Sequence, residues 1–460
     1  MKDTKLNKET LEEVKDTENL LNTEIEGKKV KKKRSKQKIF IIVSIIFLLG
    51  CIFIYGGRFT YFYLNNKKTE DAEKNLFATT LKVNNKDSDN FKNIDDVYYF
   101  YKDAKNNYVK YSNLIWRVIK INKDKSVTMI LDSPITILGY GDMETSYDES
   151  NLVNWLNNSD NGLLHEITTT EKYLSQNKVC TDAVSKISKR TCKNKGSHYF
   201  DLLSIDDYVK TGNTDSFINN GYYNYLANKD DSGNIWYINA EGKLATSEGK
   251  DLYGVKPVVT LNYSLETNGG DGSSDKPYTL SEDSTYFGSY VKLGEDTYRV
   301  YDVTDGNVKM VKTSVIKDGD VDLKHVYSVG SSKFNLSYRS SLAYYLNYTY
   351  LKNLDYKDTL IKNNYYNGYY TDDYNTSLNP MELTVGVPSI GDVMFDNESD
   401  EYFTMTGTAE TSSYVYVIRG DGSGSYRGVK FNSGVLPCVS VSSESLKSGN
   451  GTMEEPYRAE

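Results

Sequence analysis

The sequence predicts an α+β architecture: one transmembrane helix near the N-terminus, then two tandem domains of strands and short helices. Three observations carry this expectation. Residues 39–57 (IFIIVSIIFLLGCIFIYGG) contain no charge and no proline. Alternating and β-branched apolar runs open and close each half of the remaining chain, the pattern of half-buried strands. Short residue runs also recur in the same order in both halves, at offsets of about 180 to 190 residues.

The uncharged stretch is 19 residues long, and a helix crossing a hydrocarbon core needs roughly 20 apolar residues. A basic run, Lys28 to Lys38, precedes it, and only Arg58, Lys67 and Lys68 follow closely. Basic flanks stay on the cytoplasmic side. The expected arrangement is therefore an uncleaved signal anchor in the cell membrane, with the N-terminus cytoplasmic and the bulk extracellular. Phe59, Tyr61, Phe62 and Tyr63 would form the outer aromatic belt. The expected divisions are a basic tail (1–38), the span (39–57), a polar stalk (58–96) and two extracellular modules (97–280 and 281–460).

The net charge of −8 is unevenly spread. Residues 1–38 hold 12 bases and 8 acids, leaving 43 bases against 55 acids after the apolar stretch. An acidic main body repels nucleic acid, so no DNA or RNA partner is expected. The basic run points instead to anionic lipid heads of a bilayer. Tyrosine is abundant, 41 residues against 15 phenylalanines; low-GC coding bias explains this more simply than a binding surface does. Cys180 and Cys192, twelve apart, are expected to form a disulfide in an exported domain. Cys438, within an apolar strand, reads as a small buried hydrophobe.

In the first module, Tyr108–Tyr111 and Leu114–Ile121 read as strands, and the turn 122–125 leads into Val127–Leu131. Residues 151–156 read as a short helix, followed by the cysteine loop. Ser204 is placed to cap a second short helix. Residues 234–238, 242–244 and 254–261 return to strand pattern, and a Gly-rich stretch, 270–278, ends the unit. The second module repeats the order. Tyr290-Val291-Lys292 matches Tyr108-Val109-Lys110, and Tyr298-Arg299-Val300 matches Trp116-Arg117-Val118. Tyr345-Leu346-Asn347 matches Trp155-Leu156-Asn157, and Gly434 to Val439 matches Gly254 to Val259. Gly449-Asn450-Gly451 then stands where Gly270-Asp271-Gly272 stood. A period this long means each copy is a complete domain, expected to bury its own core with its first and last strands adjacent.

In this order, YVKYSNLIWRVIKI, LNN, the cysteine pair, LLSIDDY, SFINNGYY, WYINAEGKL, YGVKPVVTL and GDGSSDKPY resemble surface modules of low-GC Gram-positive bacteria. That resemblance brings no established activity. The closing Gly-Val-Lys-Pro strand and the element order are more distantly similar to the C-type-lectin-like fold shared with formylglycine-generating enzymes. The calcium-type sugar motifs of those lectins and the redox cysteine pair of those enzymes are missing here. Neither calcium-dependent sugar binding nor oxidase chemistry follows.

No catalytic constellation emerges. His165, His198 and His325 lie in no metal spacing and in no Ser-His-Asp or Cys-His order. Residues 419–424 (RGDGSG) read as a hairpin turn rather than a phosphate loop, and the acidic run 396–401 as a solvated loop. No catalytic residue, metal ligand or cofactor is expected. The aromatic residues Tyr222, Tyr223, Tyr225, Trp236, Tyr402, Phe403, Tyr414 and Tyr416 are the candidate ligand contacts, because ring faces and hydroxyls suit sugars and peptides. Core packing competes for each of them, since strand alternation turns about half inward. The expected function is non-catalytic binding of an envelope or host glycan or protein. An envelope enzyme or accessory factor and a structural spacer are the alternatives.

Overall fold

In the computed structural model, the described residues are 40, 76–167, 170–185, 192–282, 284–367, 369–370, 379–393, 401–409 and 411–459. Two compact units divide the chain, Met1–Lys74 and Asn75–Glu460. The second unit contains all the architecture that follows.

Strands make up 38% of the structure and helices 14%, so the α+β expectation gives way to a mostly β fold. The physical reason is length. Helical runs such as Asn151–Asn157 and Ile205–Lys210 have only seven and six residues, too few to form a layer of their own, while β-branched and aromatic runs pair into sheets. The membrane expectation is corrected as well. The longest helix among the described residues, Phe77–Asn85, has nine residues, and none is long and apolar enough to cross a membrane. The stretch 39–57, apart from Phe40, lies outside the described residues, as do the basic run, the aromatic belt, Cys51 and residues 396–400. The single-pass, outward-facing localisation and its anchor are therefore not supported.

Two large sheets correspond strand by strand. In the first, Thr267–Gly269, Tyr278–Leu280, Tyr108–Tyr111, Leu114–Ile121, Val127–Leu131, Val258–Leu261 and Phe200–Asp201 lie side by side, with Leu174–Ser175 also paired to Val258–Leu261. In the second, the order is Leu446–Ser448, Tyr457–Ala459, Tyr290–Leu293, Asp296–Thr304, Asn307–Lys312, Cys438–Ser442 and Val385–Gly386. In both, the closing strand pairs parallel to the opening one: Tyr278 with Val109, and Tyr457 with Val291. Each half also has a smaller sheet. Leu244–Ser247, Ile235–Ile238, Asn224–Lys229, Tyr253–Val255 and Thr136–Leu138 are matched by Gly424–Gly428, Tyr414–Arg419, Glu401–Thr408, Asn432–Gly434 and Lys324–Val326.

Matching side chains perform matching local work. Ser150 and Ser341 cap the helices that follow them, accepting from the backbone N–H of Val153 and Tyr344. Asn157 donates to the carbonyls of Val153 and Phe200 and accepts from Phe200 N–H. Asn347 does the same with Ala343 and Val385. Gly270 (φ +87°) and Gly449 (φ +93°) hold the same left-handed turn, where a Cβ would lie 2.1 and 2.2 Å from the carbonyl oxygens of Pro277 and Pro456.

The first module begins earlier than residue 97. The helix Phe77–Asn85 buries Phe77, Ala78 and Leu81, and Phe77 N–H donates to the Leu265 carbonyl. The hairpin Phe91–Ile94 and Val97–Phe100 turns through Asp95 and Asp96, both at positive φ, and its second strand extends the large sheet beside Leu114–Ile121. Trp116, Val118, Met129 and Val259 at the centre of that sheet have no exposed surface.

The modules meet along a polar seam. The Trp155 indole donates to the Gly391 carbonyl (2.8 Å) and Thr136 Oγ1 to the Asp392 carbonyl (2.8 Å). The Asn113 amide donates to the carbonyls of Thr285 and Phe287. Backbone bonds join Tyr223 N–H to Asp421 and Gly424 N–H to Leu252. Glu166, on the short helix Leu163–Glu166, is nearly buried against the strand Asp296–Thr304, where it accepts from Val303 N–H.

Candidate functional site

The strand Asn224–Lys229 organises the most distinctive surface of the first module. Strand alternation puts Tyr225, Ala227 and Lys229 on one face, with Tyr223 just before the strand in the same phase. Tyr237 pairs with Tyr225 across the sheet, and the neighbouring strand brings in Tyr253. The result is a cluster of rings. Tyr223 and Tyr253 stack with centroids 5.2 Å apart, Tyr237 and Tyr253 lie 4.6 Å apart, and Tyr223 and Tyr237 stack at 6.2 Å. All three are half-buried, so each keeps part of its surface open to a ligand. Desolvation raises the phenol pKa of Tyr223 and Tyr253, and nearby carboxylates (Glu241 and Asp421 for one, Asp251 for the other) add to it. The phenols therefore stay neutral hydrogen-bonding groups at any ordinary pH.

The second module provides an internal control. Gly254 pairs with Asn224, and Gly434 pairs with Tyr402 in the same parallel arrangement, so Asn224 corresponds to Tyr402. On this frame Tyr223, Tyr237 and Tyr253 correspond to Glu401, Val417 and Ser433. There, Glu401 carries an ion pair with Arg427 and accepts from Ser433 Oγ (2.9 Å). The fold is thus satisfied without tyrosines at these positions.

At the far end of the same strand, Tyr140, Tyr147, Asp148, Thr181, Lys229 and Asp231 help line a cleft of about 540 Å³. Behind it, fully buried Asp201 accepts from the Tyr147 hydroxyl (2.9 Å) and faces His198 Nδ1 (3.0 Å). His198 Nε2 lies 3.7 Å from Asp148. The hydrogen bond to Asp201 raises the imidazole pKa, with burial opposing it. His198 thus bridges two carboxylates, which hold its ring as a clamp. Sequence spacing could not single out this group, because Tyr147 and His198 meet only through the fold.

The eight aromatic candidates separate by environment. Tyr225, Tyr402 and Phe403 are core residues, and Tyr225 donates to the Asp251 carbonyl. Tyr222 and Tyr416 are half-buried. The half-buried Trp236 donates from its indole to the Val184 carbonyl (2.9 Å), holding the cysteine loop. Tyr414 is exposed and meets Tyr426 edge-on at 5.4 Å, on a separate surface. Only Tyr223 joins the ring cluster at the surface. Its partners Tyr237 and Tyr253 were not among the candidates, since Tyr237 reads as an ordinary strand residue and Tyr253 lies distant in sequence.

Cys180 and Cys192 are disulfide-bonded, and Cys438 is buried and free. The bridge closes the loop that supplies Thr181 and Ala183 to the cleft. Reducing it is expected to lower stability by at most about 3 kcal/mol, from restored freedom of a short unfolded loop. Peptide mapping without reductant, with melts recorded with and without reductant, checks both the bond and the cost; two free thiols in the oxidised protein would refute it. Residues 419–424 form a hairpin turn, with Gly422 at φ +72°.

No protein-family model, curated protein or solved structure matches this chain.

Proposed function

We propose that the protein is a non-catalytic binding protein whose first module recognises a glycan chain on the Tyr223, Tyr237 and Tyr253 surface. The supporting observation is the substitution of this cluster by Glu401, Val417 and Ser433 on the same frame in the second module. Half-exposed stacked tyrosines are not required for folding there, which favours a role in recognition. Their faces suit the apolar faces of sugar rings, while their neutral hydroxyls and the nearby Asp421 and Arg419 suit sugar hydroxyls. The seam places the 419–424 turn against Tyr222 and Tyr223, so the second module contributes an edge to the same surface.

The test is a glycan array followed by titration calorimetry on the full chain. Tyr253→Ala and Tyr237→Ala are each expected to weaken binding about three- to tenfold, the worth of an aromatic contact. Equal affinity of wild type and both variants would reject this surface. Binding of peptides in place of glycans would reject the ligand class.

A further inference from the structure

We infer that the cleft beside Tyr140 is a second binding site, for a small ligand carrying a primary ammonium group. This does not rest on the glycan reading, because the two surfaces use different residues. The wall carries three carboxylates, Asp148, Asp230 and Asp231, against one ammonium, Lys229, which favours a cation over an anion. Lys229 is already engaged: it donates to the carbonyls of Met143 and Thr145 and sits 5.6 Å from the Tyr140 ring centre. Asp230 accepts from Ser232 N–H, Asn234 N–H and the Asn234 amide, so its oxygens serve the turn. Asp148, held loosely at 3.7 Å from His198 Nε2, and the exposed Asp231 are the carboxylates left to meet a ligand.

Two further observations set this cleft apart from an acidic patch. Tyr140 has no exposed surface, yet its hydroxyl has no hydrogen-bond partner among the described residues. A buried hydroxyl left unpaired is costly unless something bonds it. The second module, in contrast, pairs the equivalent hydroxyl. Asn151 N–H donates to the Tyr140 carbonyl as Leu342 N–H does to that of Tyr327, so Tyr327 corresponds to Tyr140. Its hydroxyl donates to the Met405 carbonyl. Met405 stands where the first module has Ala227 in the cleft wall, and Arg339 where it has Asp148. A smaller side chain and a reversed charge thus distinguish the first copy from the second. A divalent metal is disfavoured, because Asp230 is committed to its turn and Lys229 places a positive charge in the wall. The acidic wall and room for an organic molecule suit an ammonium instead.

The test titrates the full chain with glucosamine, ethanolamine and lysine amide, using N-acetylglucosamine and calcium chloride as comparators. Saturable binding of at least one amine is expected, with N-acetylglucosamine much weaker than glucosamine if the latter binds. Asp148→Asn is expected to weaken amine binding at least about tenfold and Tyr140→Phe roughly fivefold, from losing a charged and a neutral hydrogen bond. Both variants should keep the wild-type melt, and Tyr253→Ala should bind amine normally. Failure of all three amines, binding unaffected by Asp148→Asn, or saturation by calcium in their place would overturn the proposal. Loss of glycan binding in Tyr253→Ala with amine binding intact would separate this site from the other.

Discussion

Cutting Trp116 back to alanine is expected to cost about 3–5 kcal/mol of stability, the usual loss for removing a fully buried tryptophan. Trp116 has no exposed surface, packs against Tyr111 and donates from its indole to the Tyr111 carbonyl (3.0 Å). It lies on the strand Leu114–Ile121, between the opening strand and Val127–Leu131, so the cavity would open in the middle of the large sheet. The corresponding Tyr298 is also fully buried, but its hydroxyl bonds to Tyr356 (2.8 Å). Tyr298→Phe should therefore lose only about 1 kcal/mol, one hydrogen bond. Urea unfolding of both variants decides the matter. A loss under 1 kcal/mol for Trp116→Ala would mean that the sheet is not organised around this residue.

Glu166→Gln is expected to make the protein more stable at neutral and alkaline pH and to flatten its pH dependence. Burial at the seam, with Asp302 nearby, raises the Glu166 pKa to about 9 from its ordinary 4.5; the Val303 N–H and Lys309 act in the opposite sense. Lys309 is itself paired with Asp302 at 2.8 Å. Asp392, on the same seam, is pushed up to about 6 by burial. A carboxyl whose folded pKa is raised contributes stability that is fully present below its unfolded pKa and lost as pH rises through its folded pKa. For Glu166 that window runs from about 4.5 to 9, and about 3 kcal/mol is lost between pH 4.5 and 7. Glutamine keeps the acceptor for Val303 and carries no charge, so its pH profile should be shallower across this window. Denaturation curves at pH 5, 7 and 9 provide the check. Parallel profiles for wild type and Glu166→Gln would show that the seam holds no proton on this residue.

Much of the β framework was legible in the chain. The run Leu114–Ile121 and the turn before Val127 announce themselves by alternation and turn residues, because a strand's period is local. The repeated Gly-rich endings were legible for the same reason: Gly270 and Gly449 each sit where the backbone needs positive φ and no Cβ fits. The helices were overvalued. A six- or seven-residue amphipathic run looks the same alone whether it is a small cap on a sheet or part of a helical layer, and only packing distinguishes them. The uncharged stretch 39–57 looked like a membrane span on its own terms, and the described residues contain no helix that could serve as one.

By itself, the sequence determined the strand runs, the duplicated order, the cysteine pair and the acidic balance, because each depends on neighbours a few residues away or on composition. The tertiary structure alone decided which tyrosines are core and which form a surface, since Tyr223, Tyr237 and Tyr253 meet only when three strands pair in one register. It also decided that Ala227 lines a cleft, and that Glu166 is buried against the strand Asp296–Thr304. Burial and charge at these places depend on residues from tens to more than a hundred positions apart, and no local pattern carries that distance.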